Sequence, residues 1–271
     1  MTKIKLPIRD SLFAHNSISS FWNESEFIEW DRGEIKKDYV FLTDSDVHTV
    51  DSINGIKKYA WLLESPQVTP KAYDFVKLNH RKFDKIFTFD YEILKYENSV
   101  FLPFGGSMLS KEDIKIHDKH KNISMMLSWK RDLEGHKLRH TIRNIYNGIS
   151  FYGSGINGVN EKKVVSTKDY RFSIAIENCK KDFYFTEKII DCFLSGTIPI
   201  YWGFPSIGRF FDLKGIITFD RVEDLNEILP KLNEELYHSM KDNVINNFNI
   251  AKKYMIAEDY LFNNYTELIV K

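Results

Sequence analysis

The chain has 271 residues, of which 43% are hydrophobic and 28% charged, a composition typical of a soluble globular protein with one large domain or two ordinary ones. Lysine plus arginine and aspartate plus glutamate both number 38, so the basic excess of a general nucleic-acid-binding protein is lacking. Two cysteines provide no disulfide framework and favour a reducing compartment.

Residues 1–15 lack the long apolar stretch of a signal peptide. No apolar run approaches the roughly 18 residues that a membrane-spanning helix needs. The C-terminal residues lack the lysine and arginine clustering of a basic membrane-surface helix. We therefore expect a cytoplasmic protein, and peripheral contact with the inner face of the cell membrane stays open.

Short apolar segments with strand character alternate with helical patterns along most of the chain. Their residues are 39–44, 59–65, 85–90, 99–105, 123–129, 149–155, 171–178, 197–203 and 215–220. This alternation favours an α/β protein whose parallel sheets are covered on both faces. Because such sheets bind ligands at the carboxyl ends of their strands, we expect the chemistry in the loops that follow these segments.

A polar stretch, SKEDIKIHDKHKN at residues 110–122, divides the strand segments into two groups. It predicts a first domain over residues 1–110, a linker over 111–122 and a second domain over 123–271. From about Glu223 onward the pattern is helical, and Pro230 is expected to separate two of the helices. Whether this helical block returns to the first domain is left open by the sequence.

The segment Tyr184–Gly203, YFTEKIIDCFLSGTIPIYWG, begins a helix with two opposite charges. Thr186 is a suitable N-cap, and Glu187 agrees with the helix dipole, whereas Lys188 at the same end does not. A phosphate at this N-terminus would offset the lysine and bind the free backbone N–H groups. An ordinary charged first turn of a surface helix explains the residues equally well, so the pattern alone leaves both interpretations open.

The longer segment 171–211, RFSIAIENCKKDFYFTEKIIDCFLSGTIPIYWGFPSIGRFF, resembles the donor-site motif of the α1,3/4-fucosyltransferases, glycosyltransferase family 10. The shared pattern is a strand ending in Glu-Asn, then Tyr-x-Thr-Glu-Lys, then Gly-x-x-Pro-Ile-Tyr-Trp-Gly. WLLESP at 61–66 resembles a further family segment, with one residue fewer between Trp and Glu, and LPFGG, GHKLRHTI and FYGSG resemble others. Together these segments span most of the chain between about residues 38 and 220.

This resemblance implies a GT-B fold, in which two Rossmann-like domains with parallel sheets face one another across a cleft. The first domain would bind mainly the acceptor and the second the nucleotide sugar. The implied reaction is inverting transfer of L-fucose from GDP-fucose to a hydroxyl of a glycan, usually of N-acetylglucosamine in α1,3 or α1,4 linkage. The implied site needs no metal or other cofactor, and the implied partners are the donor and a glycan, without nucleic acid.

The resemblance also assigns residues. The donor-binding positions of the motif fall on Asn178, Tyr184, Glu187 and Lys188. Arg139, in GHKLRHTI, matches the arginine that meets the pyrophosphate, and its planar, permanently charged guanidinium suits that contact. Arg131 is a weaker alternative, because loop lengths vary at this point.

Glu64, in WLLESP, matches the catalytic base proposed for the family. As a base it would remove the proton of the acceptor hydroxyl while that oxygen attacks the fucose C1 atom opposite GDP. Arg139 and Lys188 would hold the departing diphosphate. Without the resemblance, a glutamate at the end of a strand is more often simply solvated.

Two other functions remain open at this stage. The same fold could use another GDP-linked deoxyhexose, or the chain could be a catalytically inert glycan-binding module. The Asp-x-Asp triplet Asp44–Asp46 follows a strand segment, as metal-binding triplets of GT-A glycosyltransferases do, but such triplets are common by chance. His117 and His120 lie in the predicted linker without a convincing third ligand, so a solvated linker is the favoured interpretation.

Overall fold

A computed structural model describes residues 2–10, 23–154, 156 and 163–270. Gly155, at the end of one predicted strand, lies outside the described residues. The same holds for residues 11–22. The chain divides into two compact units: residues 1–106, 182–184 and 256–271 form the first, and residues 107–181 and 185–255 form the second.

The described residues form strands and α-helices whose bounds are as follows. The strands are β1 (Ile4–Arg9), β2 (Ile28–Asp31), β3 (Tyr39–Thr43), β4 (Lys57–Leu62), β5 (Lys85–Thr88), β6 (Ser99–Phe101), β7 (Lys121–Met126), β8 (Ser150–Tyr152), β9 (Tyr170–Ile176), β10 (Ile198–Trp202) and β11 (Ile217–Thr218). The helices are α1 (Pro70–Asn79), α2 (Glu134–Ile145), α3 (Glu187–Leu194), α4 (Leu225–Ile228), α5 (Glu234–Ser239), α6 (Lys241–Ala251) and α7 (Ala257–Ile269).

The first unit is built on a six-stranded parallel sheet with the strand order β2-β1-β3-β4-β5-β6. Neighbouring residues along a strand point to opposite faces, so each strand contributes to two cores. On one face, Phe41 and Trp61 pack with Leu261 of α7. On the other face, Leu42 packs with Val76 of α1. Both faces are thus buried, which explains the near-continuous apolar strands.

Helix α7 belongs to the first unit, whereas the predicted division placed all C-terminal helices in the second domain. Its apolar side chains complete the core on one face of the first sheet. Two hydrogen bonds also hold it there: the Tyr39 hydroxyl donates to the carbonyl of Ile269 at 2.7 Å, and Trp30 Nε1 donates to Glu258 Oε1 at 2.9 Å. The helical block therefore does return to the first unit, through its last helix.

The second unit contains a five-stranded parallel sheet with the order β11-β10-β9-β7-β8. Its core joins Phe172 and Ile200 of the central strands to Ile142 of α2 and Val244 of α6. Helix α3 is amphipathic and buries its apolar side chains, as its sequence predicts. Pro230 lies in a short 3-10 turn, Leu229–Lys231, that separates α4 from α5.

The predicted linker, residues 111–122, is part of the second unit, and the first unit ends at Gly106. Lys119 explains this attachment. Its ammonium group donates to the carbonyl of Ser195 and to Thr197 Oγ1, both at 2.8 Å. His117 N–H also donates to the carbonyl of Ser195 at 3.3 Å. Hydrogen bonds of Lys119 and His117 thus attach the stretch to the second unit, while most of its residues are exposed to solvent.

Each of the nine predicted strand segments overlaps a strand, whereas β1 and β2 were not predicted. Strand β1 has Pro7 inside it and yet lies between β2 and β3. A proline removes one ladder donor and argues against a central strand, so the sequence signal was hidden.

Candidate active site

The connection from β9 to α3 is fixed by a buried carboxylate that the sequence analysis did not single out. Glu177 is fully buried. Its two oxygens accept hydrogen bonds from the Thr186 N–H at 2.9 Å and the Thr186 hydroxyl at 2.6 Å. Thr186 is the N-cap of α3, as predicted, and its Oγ1 accepts the Lys188 N–H. Glu177 therefore sets where the helix carrying Glu187 and Lys188 begins.

Helix α2 begins against the end of the same strand. The Gly135 N–H donates to the carbonyl of Asn178 at 3.0 Å. A Cβ atom added to Gly135 would lie 1.8 Å from the carbonyl oxygen of Glu177. Only glycine permits this close approach, and the approach brings the first turns of α2 to the carboxyl end of β9.

Arg139 lies one turn into α2 and is only 6% exposed. Its Nη2 atom donates to the carbonyl of Ile176 at 2.6 Å and to Asn178 Oδ1 at 3.1 Å. Because the guanidinium is planar, these two bonds fix the direction of its remaining N–H groups. Asn178 thus orients Arg139, a relationship that the motif alone does not reveal.

A cavity of about 320 Å³ lies at this end of the second sheet. It brings together four of the residues predicted to bind the donor: Arg139, Asn178, Glu187 and Lys188. Its lining also contains the polar side chains of Ser128, Lys130, His136, Lys163, Ser166, Thr167 and Ser173. The cationic side chains outnumber the carboxylates in this lining, so the cavity fits an anionic group such as a diphosphate.

Lys163 was missed by the sequence analysis, because it precedes β9 outside every quoted motif. Its Nζ atom lies 2.8 Å from Asp191 Oδ2 and 3.5 Å from Glu187 Oε1. Lys188 Nζ approaches the same Glu187 oxygen, at 3.0 Å. Glu187 is therefore held between two ammonium groups, one from its own helix and one from the segment before β9.

The two ammonium groups decide the protonation of Glu187. Burial alone would raise the pKa of this carboxyl, but the charges of Lys188 and Lys163 outweigh burial and lower the pKa below its usual range. Glu187 is thus a carboxylate throughout the neutral range. A partly buried carboxylate of this kind is a strong acceptor for the paired hydroxyls of a ribose or a sugar.

Tyr184, the fifth predicted donor residue, is not among the residues that line this cavity. It groups with the first unit and is 1% exposed. Its ring packs against Phe89 and Phe104, with centroid distances of 5.1 and 6.1 Å. The structure therefore gives Tyr184 a packing environment in the first unit and does not bring it into the cavity.

Glu64 lies in the first unit, two residues beyond the end of β4. Its backbone is held on both sides: its N–H donates to Asp44 Oδ1 at 3.2 Å, and its carbonyl accepts the Tyr73 hydroxyl at 2.6 Å. The N–H of Leu63 donates to the same Asp44 oxygen at 3.1 Å. The predicted base therefore lies just beyond the end of β4, and hydrogen bonds hold its backbone in place.

Asp44, which accepts these two N–H groups, is the first residue of the Asp-x-Asp triplet that the sequence analysis attributed to chance. It is 1% exposed and has a positive φ of 41°, which is uncommon for a residue other than glycine. Burial, together with the nearby charge of Glu64, raises the pKa of Asp44 to about 7. Asp44 therefore holds a proton at acidic pH while it fixes the backbone of Glu64.

Within residues 2–10, 23–154, 156 and 163–270, no group of three or more His, Cys, Asp or Glu side chains is placed to hold a metal ion. Among the helices formed by these residues, none has the length and apolar character needed to cross a membrane.

Comparison with protein families gives one decisive match. Residues 116–260, more than half of the chain, match the model described as glycosyltransferase family 10 (fucosyltransferase), C-terminal part. The chain belongs to glycosyltransferase family 10. The matched range contains Arg139, Asn178, Glu187 and Lys188, so the resemblance seen in the sequence is confirmed for the family.

Proteins named as fucosyltransferases are similar to parts of this family-10 chain. The α-(1,3)-fucosyltransferase FucT of Helicobacter pylori is 37% identical over 75 residues, which are 28% of this chain and 15% of that protein. The 4-galactosyl-N-acetylglucosaminide 3-alpha-L-fucosyltransferase 9 of Cricetulus griseus is 26% identical over 182 residues, 63% of this chain and 46% of that protein. The alignments thus span less than half the length of either relative.

A crystal structure of an α1,3-fucosyltransferase with GDP-fucose has a similar fold. It superposes with a TM-score of 0.59 at 19% identity, over 88% of this family-10 chain and 81% of that one. At this identity the likeness concerns the fold alone. Together with the two parallel sheets, it confirms the predicted α/β, GT-B class.

Proposed function

We propose that this family-10 protein transfers L-fucose from GDP-fucose to a hydroxyl group of a glycan acceptor, with inversion at the fucose C1 atom. The acceptor hydroxyl is proposed to belong to an N-acetylglucosamine-containing glycan, in α1,3 or α1,4 linkage. The observation that carries this proposal is the cation-lined cavity in the second unit, where Arg139, Asn178, Glu187 and Lys188 meet.

The chemistry of the cavity suits a nucleoside diphosphate sugar. Arg139 can present N–H groups to the diphosphate, because Asn178 and the carbonyl of Ile176 fix one edge of its guanidinium. Lys188 adds a point charge at the N-terminus of α3, where backbone N–H groups also favour an anion. Glu187, kept ionised by two lysines, is proposed to accept hydrogen bonds from donor hydroxyls.

The proposed reaction is a single displacement. Glu64 removes the proton of the acceptor hydroxyl, the oxygen forms a bond to the fucose C1 atom, and the bond from C1 to the diphosphate oxygen breaks. GDP leaves with the electron pair, and Glu64 retains the proton until solvent takes it. Arg139 and Lys188 stabilise the negative charge that develops on the diphosphate, so the proposed site needs no metal ion.

The test is a donor assay in which EDTA is present throughout. Purified protein is mixed with GDP-fucose and an array of glycan acceptors, and both fucosylated product and free GDP are measured. We expect acceptor-dependent release of GDP with EDTA present. Activity that appears only after a divalent ion is restored would contradict the metal-free part of the proposal.

Thermal shifts with a set of donors test the sugar. GDP-fucose should raise the melting temperature more than UDP- and dTDP-sugars, because a ligand stabilises the state that binds it. A larger shift with another GDP-deoxyhexose would move the assignment to that sugar. A protein that binds glycans but neither hydrolyses nor transfers from any GDP-sugar would be a binding module.

A further inference from the structure

A histidine outside the predicted site residues, His136, lies in the same cavity. It is on the first turn of α2 and one turn before Arg139, and residues at this spacing share a helix face. Its side chain is nearly buried, at 7% exposure for the residue. His136 Nδ1 accepts the backbone N–H of Leu133 at 3.4 Å. In a neutral ring whose Nδ1 is an acceptor, the proton is on Nε2, so His136 has a donor to offer.

The charges around His136 favour this neutral form. Burial, followed by the positive charges of Arg139, Lys130 and Lys188, lowers the pKa of His136 to about 4, and Asp132 opposes them only in part. These groups come from α2 itself, from the segment before α2 and from the start of α3. The cavity without an anion therefore holds a neutral imidazole among three cations at neutral pH.

A bound diphosphate would reverse the balance of charge at this position. Its negative oxygens would offset the three cations, and they would favour the charged form of any neighbouring group that can accept a proton. A neutral Nε2–H would donate one hydrogen bond to the diphosphate. A charged ring would donate a stronger bond, because hydrogen bonds between ionised partners are roughly twice as strong as neutral ones.

We propose that His136 is a further ligand of the donor's diphosphate and takes up a proton from solvent when the diphosphate binds. This inference rests on the proposed function, since it assumes a diphosphate in the cavity. No covalent bond forms or breaks at His136. Its effect is to add positive charge beside the leaving group only when that group is present.

The test measures proton uptake by calorimetry. The full chain is titrated with GDP-fucose at pH 5.5 in two buffers that differ in their ionisation enthalpy, without acceptor. GDP-fucose is the appropriate probe because both of its phosphates are esterified, so it carries no titrating proton near this pH. The parent protein should take up more than about half a proton per site, since pH 5.5 lies above the pKa of free His136.

Two substitutions and a matched control decide the assignment. His136→Gln keeps a donor in the region of Nε2, and His136→Asn keeps an acceptor for the Leu133 N–H, but neither titrates. Both should abolish the uptake and weaken binding at pH 5.5 by about 10- to 100-fold, with a smaller loss at pH 8. His140→Gln changes a similarly buried histidine of the same helix, at 8% exposure, and should leave the uptake as in the parent.

The outcomes separate the two proposals. Parent protein that binds GDP-fucose without proton uptake, or an uptake unchanged in either His136 variant, would overturn the role of His136 alone. A parent protein that binds neither GDP-fucose nor GDP would overturn the proposed function, and this inference with it. If His136→Gln does not fold, His136→Asn provides the same measurement.

Discussion

The Nζ atom of Lys163 lies 2.8 Å from Oδ2 of Asp191, and both side chains are largely buried, at 12% and 1% exposure. Asp191 also accepts hydrogen bonds from the Ser107 hydroxyl and the Met108 N–H. Lys163 is thus the cation that compensates the buried Asp191 carboxylate, and it also lies 3.5 Å from Glu187 Oε1. This pair links the stability of the second unit to the charge of the proposed donor site.

Substituting Lys163 by methionine should destabilise the protein by about 3 to 5 kcal/mol, because a buried carboxylate loses its cation. Donor affinity should fall as well, since Glu187 loses one of its two ammonium neighbours. Urea unfolding and GDP titration measure the two effects. The control Lys121→Met breaks an exposed pair with Asp169 and should cost about 1 kcal/mol or less.

Adding Asp191→Asn to Lys163→Met should recover part of the lost stability, because the uncompensated charge is then removed. A double variant as unstable as Lys163→Met alone would show that lost packing, and not charge, causes the effect.

The proposed role of Arg139 predicts that Arg139→Lys weakens GDP binding by about 10- to 100-fold. A lysine has one charged nitrogen and cannot bond Asn178, the carbonyl of Ile176 and a phosphate in the geometry of a guanidinium. Isothermal titration with GDP measures the loss. Arg143→Lys, one turn further along α2 and exposed, is the matched control. Equal affinities for the two variants would exclude the proposed contact.

The proposed base predicts that Glu64→Gln lowers kcat by about 100- to 10,000-fold, the usual contribution of a general base. The affinity for GDP-fucose should stay near that of the parent, because the amide removes only the proton acceptor. Steady-state transfer and donor titration measure the two quantities. Glu92→Gln, an exposed glutamate of the same unit paired with Lys95, should transfer at the parent rate. Near-parent turnover by Glu64→Gln would remove Glu64 from the mechanism.

The buried Asp44 carboxyl predicts a dependence of stability on pH. Its pKa is about 7 in the folded protein and about 4 when unfolded, so between these values the folded state keeps a proton that the unfolded state has lost. Stability therefore falls as pH rises from about 4 to 7, by up to roughly 4 kcal/mol in total. Asp44→Asn keeps the acceptor and tolerates positive φ but cannot ionise, so its stability relative to the parent should increase with pH.

Urea midpoints at pH 5 and pH 8 measure this effect. Asp46→Asn, two residues further on, should follow the pH dependence of the parent protein. If Asp44→Asn also follows it, the raised pKa of Asp44 is incorrect.

The sequence predicted those parts of the fold that have a strong local signal. The apolar strands from Tyr39 onward, the Thr186 cap and the α/β class all follow from patterns within a few residues. Strand β1 did not, because its pairing with β2 and β3 outweighs the proline inside it. The place of α7 was equally out of reach, since an amphipathic helix does not indicate which sheet covers its apolar face.

The candidate site likewise contains residues that the sequence predicted and residues that it did not. Motif positions predicted Arg139, Asn178, Glu187 and Lys188, and these four do meet in one cavity. Two additional lining residues were not predicted: Lys163 comes from a segment with no motif signal, and His136 lies in GHKLRHTI, in which the motif assigned a role to Arg139 alone. The charge of Lys163 acts on Glu187 only after folding places the two side chains near each other. Tyr184, in contrast, was predicted from the motif but does not line the cavity. The order of residues in a motif does not indicate which unit a side chain packs into.

The return of α7 to the first sheet has a consequence for the order of events during synthesis. Residues 107–255 are complete on the ribosome before the residues of α7 have been made. The second unit can therefore form its core first, whereas one apolar face of the first sheet stays uncovered until α7 has been synthesised. A nascent chain arrested before residue 256 should expose that face to chaperones, although most of its strands have already been synthesised.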